Sequence, residues 1–187
     1  MRLRERPIAG AKDDALGDGG GASDRTGLGV WAAALVLGRW LTEEGPAKLA
    51  GKRVVELGAG CGVGALALAA ASPTTSVAAT DCAAETLENC AHNVDLFEAD
   101  HGNPDVQGPL GSTKRVSSSS LDWDRPPAPG MTHCDVVVGA DLVYHAAAVD
   151  KLCKTVVALG AAEFWYWRRR RTSSVSAFYL AVAASAE

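Results

Sequence analysis

The run Val54 to Leu68, VVELGAGCGVGALAL, constrains the fold of this chain more than any other stretch. Its first residues are apolar and β-branched, which suits a strand. Glycines follow, and Ala and Leu then resume as a helix. A strand that turns through glycines into a helix lets backbone approach a ligand closely, because no Cβ stands in the way. Such turns open several nucleotide-binding α/β folds, and Gly60-Cys61-Gly62-Val63-Gly64-Ala65 satisfies even the loose dinucleotide pattern G-x-G-x-x-A. Glu56 narrows the choice. A carboxylate just ahead of the first glycine, Gly58, sits at the strand's end, where it repels a pyrophosphate and is satisfied by an amine cation or by helix-side amides. A sulfonium amino acid suits that charge better. The competing structural reading is a tight turn with a surface Glu.

The rest of the chain alternates strand and helix patterns. Val30 to Leu41 (VWAAALVLGRWL) predicts a mostly buried helix, Ser76 to Thr80 a strand, and Asp81 to Phe97 a helix with Leu87, Ala91, Val94 and Phe97 on one face. Asp100 to Thr113 reads as a loop, and a weak strand is expected near Val116. Cys134 to Gly139 (CDVVVG) is an uninterrupted apolar strand of the kind buried on both faces of a parallel sheet. His145 to Leu159 predicts a helix, Glu163 to Trp167 a last aromatic strand, and Ser173 to Ala186 a final helix. This order predicts an α/β fold with an open, Rossmann-like doubly wound sheet. Residues 1–26 read as a flexible lead-in and 27–187 as one domain.

Composition excludes other classes. A chain of 187 residues suits one core, and a formal net charge of -4 argues against a nucleic-acid footprint. The five cysteines are scattered, with no Cys-x-x-Cys, and read as reduced thiols of a cytoplasmic or nuclear protein. The four histidines have no metal-ligand spacing, so no metal is expected. No apolar run is long enough for a membrane span, and the start MRLRERP lacks the apolar segment of a secretory signal.

Asp81 closes the second strand, where this fold offers an acid to ribose hydroxyls; capping of the next helix is the plainer role, and the two are compatible. The segments VWAAALVLGRWL, VVELGAGCGVGAL, ATDC, LDW and GADLVYH together resemble the family-16 methyltransferases over about Gly27 to Leu159. These are seven-β-strand enzymes that use S-adenosyl-L-methionine, many of them on single lysines of other proteins. The resemblance implies that Trp31 lines the cofactor pocket and that the loop from Glu56 through Gly58, Ala59, Gly60 and Gly62 binds the methionyl part. It implies further that Asp81 binds ribose, Trp123 stacks near adenine and Ala140 touches the cofactor. Asp141-Leu142-Val143-Tyr144 resembles the family's Asp/Glu-x-x-Tyr element, with Asp141 and Tyr144 as the acceptor-site pair. Its alternative reading is a helix cap with Tyr144 packed upon it, and for Trp31 and Trp123 the alternative is core packing.

The methionyl, ribose and acceptor elements thus point to a protein-lysine methyltransferase. A nicotinamide-dependent oxidoreductase accounts for the glycines and Asp81 but leaves Glu56, Trp123 and Asp141 without a role. A shortened binding module without catalysis is the non-enzymatic alternative, because a terminal helix leaves no room for the family's C-terminal β6/β7 hairpin. The missing hairpin leaves Glu163 to Trp167 as an exposed edge through which copies self-associate, unless the terminal helix folds back and shields it, and Arg168 to Arg171 is a solvated basic edge or a contact for an acidic substrate.

Overall fold

Side-chain alternation along the strands divides the core into two layers. The computed structural model describes residues 2–7, 25–101, 114–143, 146–169 and 175–181. Five parallel strands, β1 (Arg53–Leu57), β2 (Ser76–Asp81), β3 (Val116–Ser120), β4 (Val136–Ala140) and β5 (Glu163–Arg169), are joined by an antiparallel β6 (Val175–Ala181). Their order is β3-β2-β1-β4-β5-β6. Neighbouring residues on a strand face opposite sides. Val54, Val77, Val136, Val138 and Trp165 therefore pack against Leu37 and Leu41 of α1 (Ala32–Glu43), Leu66 and Leu68 of α3 (Val63–Ala71), and Val94 and Phe97 of α4 (Ala84–His101). Val55, Leu57, Val137 and Phe164 face Leu152 and Val156 of α5 (Ala148–Ala158) on the other side. The short α2 (Gly45–Leu49) begins at the Gly-Pro read as punctuation, with proline at its start, where the missing N–H costs nothing.

The expected final helix, Ser173 to Ala186, is corrected: residues 175–181 are strand β6, paired with β5 from Arg169↔Val175 to Glu163↔Ala181. Alanines at 177 and 181 favour helix, but Val175, Phe178 and Tyr179 suit a sheet, and pairing satisfies a full row of β5 backbone groups. An antiparallel strand thus lies directly beside β5, where the expected hairpin was thought missing. The exposed-edge expectation fails with it, since β5 is bonded on both sides, to β4 and β6. Trp165 and Trp167 are buried, with Trp40 of α1 against both rings at centroid separations of 4.9 and 4.8 Å.

Two further differences concern α4. Its buried face carries Asn89 and Asn93 beside Cys90, Val94 and Phe97, while Leu87 and Ala91 are only half-buried. Residues 2–7, expected within a flexible lead-in, lie along this helix: the Arg4 carbonyl accepts from the Asn89 and Asn93 amides at 3.0 Å each. Buried carboxamides need such partners. Helix α5 starts at Ala148 rather than His145, and Val149 is exposed.

Deleting residues 175–187 should uncover the β5 ladder and turn it into a pairing edge. Light scattering should then report a larger particle than for the full chain at equal concentration; equal sizes would show that β6 is not what protects β5.

Candidate functional site

The chain runs outward from β1 to β2 and β3, then returns to place β4 on the opposite side of β1. In open α/β sheets such a reversal leaves a crevice beyond the carboxyl ends of the strands. A cavity of about 540 Å³ opens there, within the usual size of a small-ligand site. Trp31, Glu56, Gly58, Ala59, Gly60, Asp81, Trp123, Ala140 and Asp141 all line it. Gly62 stands behind them as the left-handed N-cap of α3, and Tyr144 lies outside the described residues.

Glu56 is 3% exposed. Its Oε2 accepts a hydrogen bond from the Ala65 N–H at 2.6 Å, in the first turn of α3. Gly64 makes this approach feasible, because a Cβ there would collide with the same carboxylate. Burial pushes the Glu56 carboxyl up to about 8; the Ala65 amide opposes the shift and the charge of Asp81 adds to it. The strand-end acid is therefore satisfied by a helix-side amide while still facing the cavity, and the reading of Glu56 as a surface residue is excluded.

The glycine turn is tied to β2 and α4. Ala59 donates to the Thr80 carbonyl at 2.9 Å, and Gly60 donates to Asp81 Oδ2 at 3.1 Å. Asp81 Oδ1 accepts from Cys82 at 2.8 Å and Ala83 at 3.3 Å, so the same carboxylate borders the cavity and holds the turn ahead of α4, whose first bond runs from Leu87 to the Ala83 carbonyl, rather than capping the helix. Gly60 has φ +55, and a side chain on it would press upon the Gly27 carbonyl. Backbone thus packs on backbone, which draws the Thr26–Leu28 turn and Gly29 to Trp31 up as a side wall. Trp31 is 48% exposed, and its indole N–H donates to the Thr26 carbonyl at 2.8 Å, so it belongs to the wall rather than the core. Trp123 is partly buried on the α5-side cluster with a face to the cavity. Cys61 lies 3.5 and 3.3 Å from the Gly27 and Leu28 carbonyls, and burial raises its thiol to about 11, which leaves it a lining residue without thiolate character.

At the mouth, Asp141 takes φ +50, uncommon for any residue but glycine. Its N–H donates to the Trp167 carbonyl at 2.8 Å, and Val143 N–H donates to the Tyr166 hydroxyl at 3.2 Å. β5 thereby holds the segment after β4. Asp141 does not cap α5, whose N-cap is Ala147. Lys151, ion-paired to Asp124 at 2.7 Å, and Arg168 also border the cavity. Sequence reading placed Arg168 only in a basic run and singled out neither Lys151 nor the Gly27 to Val30 wall. Apart from Val30, which opens VWAAALVLGRWL, no motif carries these positions; they follow from β5 lying beside β4 and from Gly60 accepting Gly27 as a neighbour.

Residues 18–184 match the lysine methyltransferase family. The chain belongs to this family. It is 36% identical over 121 residues to the protein-lysine N-methyltransferase EEF2KMT of Mus musculus, a match covering 64% of this chain and 35% of that protein. It is also 36% identical over 138 residues to the protein N-lysine methyltransferase METTL21A of Danio rerio, covering 72% and 56%. The chain thus spans between about a third and just over half of these relatives. Among solved structures, a SAM-dependent methyltransferase from Aquifex aeolicus superposes with a TM-score of 0.53 at 15% identity over 74% of this chain and 68% of that one, a likeness of fold. The family's fold is the doubly wound sheet seen here.

The raised carboxyl of Glu56 has a consequence for stability. Its folded value of about 8 lies above the reference 4.5, so the folded state binds more protons between the two. Its contribution to stability is full below the lower value and is lost as pH rises through the upper one. Urea midpoints should fall between about pH 4.5 and about pH 8 and level off above that, and Glu56→Gln should flatten that fall. Parallel profiles for the two proteins would assign the titration to another group.

Proposed function

We propose that this chain transfers a methyl group from S-adenosyl-L-methionine to a lysine side chain of a protein. One observation carries the reading: a buried carboxylate, Glu56, and a strand-end carboxylate, Asp81, share one cavity at the sheet's switch point with Asp141 at its mouth. When bound, S-adenosyl-L-methionine supplies an electrophilic methyl on a sulfonium. The residues present fit it. Glu56 meets the ammonium of the methionyl part, and the Gly58 to Gly60 backbone lies against the same part. Asp81, bordering the cavity at the end of β2, would accept from the ribose hydroxyls. Trp123 provides an aromatic face for adenine, Trp31 closes the side wall, and Ala140 leaves room at the end of β4.

Asp141 attracts the lysine ammonium and accepts a hydrogen bond from it, and Tyr144 is its partner in the Asp/Glu-x-x-Tyr element by sequence alone. A lysine amine, with a reference pKa of ~10.4, must be neutral to attack. The site's work is to shed that proton, align the nitrogen and exclude water. A nicotinamide dinucleotide fits less well, because Glu56 already occupies the first turn of α3, the helix end that would receive a pyrophosphate. The substrate class follows the relatives' names, each a protein-lysine methyltransferase. We place the enzyme in the cytoplasm or nucleus, with no nucleic acid or membrane partner, on its thiol cysteines and slight acidity. Self-association loses its argument with the pairing of β5.

Calorimetry should show binding of S-adenosylhomocysteine and none of NAD. Because Glu56 is largely protonated before a cation arrives, binding near pH 7 should release a proton, visible as a heat that varies with the buffer's ionisation enthalpy. Glu56→Ala should weaken binding by ~10-fold or more, the scale of a charged hydrogen bond; unchanged affinity would remove its role.

Asp141→Ala should lower turnover far more than S-adenosylhomocysteine affinity. With labelled methyl donor and a cell lysate, mass spectrometry should place the label on lysine. Label on another residue type would overturn the acceptor assignment.

A further inference from the structure

The binding reading above does not use residues 2–7, yet these make the most concentrated set of polar contacts outside the cavity. Leu3 packs against the core cluster that includes α4. Arg4 donates its N–H to Asn93 Oδ1 and its Nε to Asn89 Oδ1, both at 2.7 Å, while its carbonyl accepts from both amides. The same two asparagines reach the glycine turn: Asn93 Nδ2 donates to the Cys61 carbonyl at 2.9 Å, and Asn89 Nδ2 lies 3.5 Å from the Cys61 sulfur. On its other side the segment holds the cavity wall. Glu5 Oε1 accepts from the Val30 N–H at 2.7 Å, and Arg6 N–H donates to the Leu28 carbonyl at 3.0 Å. Arg2 and Arg6 pair with Asp100 and Glu88 of α4 at 3.3 and 3.5 Å.

From this geometry we infer that residues 2–7 form a strap that fixes the Gly27 to Trp31 wall and so sets how tightly the cavity holds its nucleoside ligand, with Glu5 as the positioning residue. The inference rests on the methyl-donor reading for the identity of that ligand only. The wall has no sheet of its own. Gly27 packs on Gly60 and on Thr86 of α4, Arg25 ahead of it pairs with Glu85 at 3.0 Å, and Trp31 leads into α1; between these anchors the Val30 N–H is held by the strap. Releasing Val30 loosens the backbone between the Thr26–Leu28 turn and α1, and a ligand must then order the wall as it binds. Glu5 itself does not line the cavity.

The test compares the full chain with Glu5→Ala and Glu5→Gln, using S-adenosylhomocysteine in calorimetry and amide exchange at Val30 without ligand. Glu5→Ala should bind about tenfold more weakly, the loss expected of one charge-assisted hydrogen bond. Its Val30 amide should exchange faster. Glu5→Gln keeps an acceptor oxygen and should restore affinity to within about threefold of the original and slow the exchange again. An alanine variant with unchanged affinity or unchanged Val30 exchange, or a glutamine variant no better than alanine, would overturn the strap. If the original chain does not bind S-adenosylhomocysteine, the methyl-donor reading fails, and the exchange of Val30 still decides whether Glu5 holds the wall.

Discussion

The contact between the Glu56 carboxylate and the first turn of α3 holds the two halves of the site in one place. It joins the end of a central strand to the helix that follows, and it does so only because Gly64 leaves space. A buried acid is costly unless its oxygens are bonded, so the glycine turn between strand and helix must adopt the path that delivers the Ala65 amide. That path brings Gly60 against both Gly27 and Asp81, and through them β2, α4 and the N-terminal wall are set relative to β1. Displacing this carboxylate would disturb a floor, a side wall and a helix start together.

Much of this was legible in the sequence because it depends on local rules. The strand-glycine-helix turn, the acid at its entrance and the acid closing β2 each reflect what a few neighbouring residues can do, and they lie at one cavity as read. The apolar run at β4 announced a strand covered on both faces. Legibility failed where distant partners decided the outcome. Asn89 and Asn93 look like solvent-facing residues of α4, and their burial is tolerable because Arg4, far away in the sequence, and Cys61 of the glycine turn meet their carboxamides.

The C-terminal strand failed for a related reason. Residues 175–181 mix alanine with aromatic and β-branched residues, so local preference is nearly balanced between helix and strand. The unpaired edge of β5 tips that balance, and no window read along the chain contains it. The same limit hid Arg168, which reaches the cavity only because β5 lies next to β4.

The left-handed backbone of Asp141 carries a cost of its own. Glycine would accept φ +50 freely, whereas aspartate holds it at an expense on the order of 1 kcal/mol. Selection for thermal robustness alone would therefore replace this cavity-lining acid with a residue that has no side chain. Any stabilised version of this scaffold, whether from directed evolution or from design, has an easy gain waiting at position 141 and gives up a cavity-lining carboxylate by taking it.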